Sequence, residues 1–88
     1  MSEKDIETYL VRRVKSIGGE AYKFTSPARR GVPDRVVVLP SGAVIWVELK
    51  APGKLPTILQ AKEHARLSTL GQRVVVVDSK DGVDAIIK

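Results

Sequence analysis

The segment from Arg35 to Lys50 constrains the fold more than any other part of the chain. Two runs rich in β-branched residues, Arg35–Leu39 and Ala43–Lys50, flank Pro40-Ser41-Gly42. Such runs around a Pro/Gly turn read as a β-hairpin. A three-residue turn with Gly42 in the left-handed conformation sets the register. Leu39 then faces Ala43, Val38 faces Val44, Val36 faces Trp46, and Asp34 faces Glu48. A two-residue turn would shift this pairing and separate the two acids.

The other elements follow from periodicity and breakers. Residues 3–17 form a helix, with Ile6, Leu10, Val14 and Ile17 on one face. Ser2 and Asp5 mark its start and Gly18-Gly19 its stop. Residues 20–25 read as a short edge strand and 26–33, SPARRGVP, as a loop. After a second loop at 51–56, a helix over 57–70 closes at Gly71. Val74–Val77 is apolar on both faces, which predicts a strand inside the sheet. Residues 83–87 read as a last short strand. There is no internal repeat. The fold expected is α/β: one small domain over 1–88, with a central mixed β-sheet flanked by helices in the order αβββαβ.

Composition narrows the function. Fifteen Lys and Arg against ten Asp and Glu give a net charge of +5, which favours an anionic partner. The absence of cysteine excludes disulfides, thiolate metal sites and a cysteine nucleophile. Four aromatics (Tyr9, Tyr22, Phe24, Trp46) are few for a protein that stacks single-stranded bases. No apolar run is long enough for a membrane span. The start, MSEKDIE, lacks the pattern of a signal peptide. A cytoplasmic protein is expected.

Charge in places that call for apolar residues is the functional signal. Glu7 falls at the edge of the apolar helix stripe, where it serves either as a boundary residue reaching water or as a ligand. In Ala43–Lys50, alternation puts Val44, Trp46, Glu48 and Lys50 on one face. Glu48 and Lys50, about 6–7 Å apart along the strand, could be a simple ion pair. Asp34 opposite Glu48 changes that reading, because like charges facing each other across a strand pair destabilise it. A hard divalent cation resolves the conflict. Asp34, Glu48 and the backbone carbonyl of Leu49 offer oxygen ligands for Mg²⁺ or Mn²⁺, and Glu7 could join them from the helix. Lys50 would stabilise charge on an attacked phosphate.

These residues also form a family pattern. Gly31-Val32-Pro33-Asp34 followed by Glu48-Leu49-Lys50 resembles the PD-(D/E)xK nuclease superfamily. With Glu7, the RRGVPD run and Gln60, the chain resembles a stand-alone VRR-NUC domain over essentially its whole length. That module occurs in phage and bacterial proteins and at the C-terminal end of the Fanconi-anaemia-associated nuclease. The resemblance implies a Mg²⁺- or Mn²⁺-dependent nuclease in which Asp34 and Glu48 bind metal, Lys50 is the catalytic lysine and Glu7 the helical acid. It gives Gln60 a supporting role at the active site, although Thr57 to Gln60 also has capping-box spacing. It further implies similarity to Holliday-junction resolvases, and hence a homodimer. His64, the one histidine, reads as a packing residue rather than a ligand.

Arg29, Arg30, Arg35 and Lys54 flank these acids and are the candidate DNA contacts. The expected function is structure-selective cleavage of branched DNA, a four-way junction above all. Two alternatives stand beside it: a nuclease on flapped, nicked or linear duplex DNA, and a basic DNA-binding module in which Asp34, Glu48 and Lys50 form only an ion network.

Overall fold

Local capping defines the first helix. Ser2 Oγ accepts the Asp5 N–H at 3.1 Å and Asp5 Oδ2 accepts the Ser2 N–H at 2.9 Å. This capping box opens α1, Glu3–Ser16. The structure, a computed structural model, describes residues 1–87. After α1 come β1 (Glu20–Lys23), β2 (Arg35–Val38), β3 (Val44–Leu49), α2 (Ile58–Thr69), β4 (Arg73–Val77) and α3 (Lys80–Ile86). The strands form one sheet in the order β1-β2-β3-β4. β1 and β2 pair antiparallel, as do β2 and β3, whereas β3 and β4 are parallel. The parallel pair requires a crossover, which α2 supplies. This is the expected mixed-sheet α/β domain.

The core lies on one face of the sheet. Ile6, Leu10 and Val14 of α1 pack with Ala21, Val37, Ile45, Val47, Leu49 and Val77 of the strands. Val83 and Ile86 of α3 complete it. Alternation then sends Trp46 and Glu48 to the opposite face, where α2 packs. No helix among the described residues is long and apolar enough to cross a membrane.

Two expectations fail. Residues 83–87 are not a strand: they lie almost entirely within α3. Ser79 caps that helix by accepting the Gly82 N–H at 3.0 Å, and Val83 and Ile86 point together into the core. The Tyr9 hydroxyl donates to Asp84 at 2.8 Å and Arg13 Nε donates to it at 3.1 Å. These contacts with α1 outweigh the β-propensity of the segment. Nor is β4 inside the sheet; it is the strand beyond β3 at the edge. Both α2 and α3 pack against β4, and Val77 is buried while Val76 stays 43% exposed. An apolar pattern on two faces says nothing about lateral neighbours.

Candidate active site

The hairpin turn places the site. Leu39 and Ala43 close the turn, with Leu39 N–H donating to Ala43 O at 2.9 Å. Gly42 has φ +90, the left-handed conformation that the three-residue turn demands. The register runs Val38↔Val44, Val37↔Ile45, Val36↔Trp46 and Arg35↔Val47. One step further, Asp34 arrives opposite Glu48, as the turn chemistry predicts. Asp34 Oδ2 accepts the Leu49 N–H at 2.7 Å. Because the N–H and C=O of a strand residue point to the same side, the Leu49 carbonyl opens on that side too.

Glu48 is the centre of the cluster. It is 1% exposed. Its Oε2 accepts from Gln60 Nε2 at 3.2 Å, and its Oε1 lies 3.2 Å from His64 Nε2. Burial, then the neighbouring Asp34, push Glu48 up to about 8, with Lys50 opposing and Glu3 adding to the rise. Burial disfavours the charged form of a carboxylate, and a second carboxylate beside it adds to the effect. Burial lowers His64 below the usual histidine range, with Lys50 acting in the same direction and Asp34 and Glu63 against it.

This pair fits a divalent cation. Two carboxylates from neighbouring strands and a nearby carbonyl are hard oxygen donors, and a cation would offset both the burial and the neighbouring charge that raise Glu48. Among the described residues no group of three or more His, Cys, Asp or Glu side chains is set to hold a metal. The protein offers an open set of few ligands, as magnesium sites commonly do.

Glu7 does not join the two acids. Its Oε2 accepts from Arg35 Nε at 3.2 Å and Nη2 at 3.1 Å.

Gln60 makes two side-chain contacts. Its Oε1 accepts the Thr57 N–H at 2.9 Å, completing the capping box of α2, while its Nε2 donates to Glu48. His64 is buried, as a packing residue would be, yet its ring nitrogen meets Glu48. Periodicity alone could not reveal that contact. Lys50 follows β3, and no ion pair ties it to an acid among the described residues.

The four candidate DNA cations divide into two kinds. Arg35 is engaged by Glu7 and by the Ala21 carbonyl, which accepts from Nη1 at 2.9 Å. Arg29 Nε donates to Glu63 at 2.7 Å, and that glutamate side chain is 8% exposed. Arg30 and Lys54 are exposed and make no ion pair among the described residues. The loop bearing Arg29 and Arg30 sits hard against α2. Gly31 has φ +79, and a Cβ there would lie 2.8 Å from the Leu59 carbonyl oxygen.

Known proteins share this arrangement of elements. No family model matches the chain. Over 79 residues, 90% of its length, the chain is 61% identical to a protein of Acyrthosiphon pisum secondary endosymbiont phage 1 named "Putative nuclease p44", of which it covers 85%. A solved structure named "VRR_NUC domain" superposes with a TM-score of 0.89 at 35% identity, covering 97% of this chain and 92% of that one.

Proposed function

The chain belongs to the VRR-NUC family of nucleases, and from that premise we propose a metal-dependent endodeoxyribonuclease that cuts branched DNA, four-way junctions above all. The observation that carries this reading is the Asp34–Glu48 pair across the hairpin, with Lys50 two residues beyond Glu48. A pure DNA binder gains nothing from an acid pair in a phosphate-binding surface.

Asp34, Glu48 and the Leu49 carbonyl would hold Mg²⁺ or Mn²⁺. Such an ion, when bound, supplies Lewis-acid polarisation of the phosphodiester and a nucleophilic water at neutral pH. Leu49 N–H keeps Asp34 in place. Gln60 and His64 orient Glu48 from α2. Lys50, free of an ion pair among the described residues, stabilises the negative charge that builds on the attacked phosphate. Glu7 on α1 matches the helical acid of the family by position, and Arg35 holds it. Arg30 and Lys54 contact backbone phosphates. The enzyme acts in the cytoplasm of a phage host.

A homodimer fits this substrate, because a four-way junction shares its twofold symmetry. An apolar sheet face supports self-association. Tyr22 is 59% and Val44 42% exposed, and Phe24 packs edge-on against Trp46 with centroids 5.1 Å apart. A second copy would cover these residues.

The deciding assay compares a labelled four-way junction, a flap and a linear duplex, each with Mg²⁺, with Mn²⁺ and with EDTA. Junction cleavage that requires the cation is expected. Equal cleavage of all three substrates would remove the junction preference, and cleavage in EDTA would remove the metal. Light scattering should report twice the chain mass; a monomer would refute the dimer.

A further inference from the structure

A second positively charged feature lies beside the site and outside the cluster around Glu48. Arg29, Arg30, Lys62 and Arg66 line a groove of about 430 Å³ between the 26–33 loop and α2. Its one acid is Glu63, already tied to Arg29 at 2.7 Å. Lys62 and Arg66 are exposed, one turn apart on α2, and make no ion pair among the described residues. Three cations therefore face one groove with no acid to neutralise them.

The position of the groove gives this charge a direction. Glu63 is adjacent in sequence to His64 and one helical turn from Gln60, the two α2 residues that contact Glu48. One turn is about 5 Å. On the other wall, the loop with Arg29 and Arg30 runs through Gly31 directly into Asp34. Both walls thus lead to the acid pair. The Arg29–Glu63 contact and the close approach of Gly31 to Leu59 hold the walls together.

We propose that this groove is a track for one DNA strand, in which Arg30, Lys62 and Arg66 bind the phosphates next to the scissile one. Arg29 is the clasp that shapes the track. The proposal rests on the reading of DNA as substrate and extends it to residues of α2 that flank the reaction. Phosphate contacts of this kind are independent of sequence and respond steeply to salt.

The test is DNA binding, separated from cleavage. Fluorescence anisotropy in EDTA, with a labelled four-way junction over a range of salt concentrations, gives the slope of log affinity against log salt. Lys62→Gln with Arg66→Gln removes two phosphate contacts and should flatten that slope by about two. Lys15→Gln with Arg73→Gln makes the same charge change at the other end of the sheet and should leave the slope within half a unit. Circular dichroism melts check folding. Should the double variant not fold, Lys62→Gln alone, at an exposed helix position where glutamine is a good helix former, should flatten the slope by about one.

An unchanged slope in the α2 variants, an equal loss in both pairs, or no binding by the wild-type protein overturns the proposal. A wild-type protein that binds through the groove but cuts no DNA with Mg²⁺ or Mn²⁺ overturns the proposed catalytic reading instead, and supports the track.

Discussion

The carboxylate of Asp34 is fastened to the backbone of Leu49, Oδ2 accepting the amide hydrogen at 2.7 Å across the β2–β3 hairpin. One residue thereby ends the strand pairing and presents an acid to Glu48. Asp34→Asn keeps an oxygen that can accept the Leu49 N–H but removes the charge. Its melting temperature should stay near wild type, while cleavage falls more than about 100-fold. Asp34→Ala should lose cleavage and also about 1–3 kcal/mol of stability. Wild-type cleavage by Asp34→Asn would discard the assigned role of this acid.

Glu48 makes the stability of the metal-free protein depend on pH. Its proton is held up to about 8 rather than the usual 4.5. The folded chain therefore favours the protonated acid, and this contribution is fully present below the unfolded value. It is lost as pH rises through about 8. Glu48→Gln removes the titration. In EDTA the variant should melt at the same temperature as wild type near pH 4, and several degrees higher at pH 9. Calorimetry at the two pH values decides it, and a variant less stable than wild type at high pH would count against the buried, repelled acid.

His64 acts on Glu48 and not on substrate, so its loss should read as a positioning defect. His64→Ala should lower cleavage about 10–100-fold and raise the metal concentration needed for half-maximal rate. The Kd for DNA should hold. His64→Gln, which can still donate toward Glu48 Oε1, should recover part of the rate. If His64 only fills space, both variants will melt lower but share the metal dependence of wild type.

Arg35 makes three hydrogen bonds, two to Glu7 and one to the Ala21 carbonyl, at a guanidinium with 17% side-chain exposure. It therefore ties α1 and β1 to β2. Arg35→Ala leaves Glu7 and the Ala21 carbonyl without these donors and should cost about 1–3 kcal/mol, a fall in melting temperature of roughly 5–15 °C. The salt slope of DNA binding should be unaffected. A flatter slope with an unchanged melting temperature would return Arg35 to the phosphate contacts.

The sequence by itself determined the hairpin, its register and the capped starts of α1 and α2. Gly42 accepts a positive φ, Ser2 and Thr57 bond to amides three residues on, and valine alternation counts the strands from a fixed turn. Each depends on neighbours a few positions away, so each is legible along the chain. From that register alone, Asp34 and Glu48 came together. The identity of α3, the edge position of β4, and the partners of Glu7, Arg29 and His64 were decided only in the tertiary structure. Arg35 reaches Glu7 across 28 positions and Arg29 reaches Glu63 across 34. Such pairs form because the packing of helices on the sheet leaves each long side chain one oppositely charged group within reach. Nothing in the local pattern of a cation states whether it will meet solvent, a phosphate or a buried carboxylate.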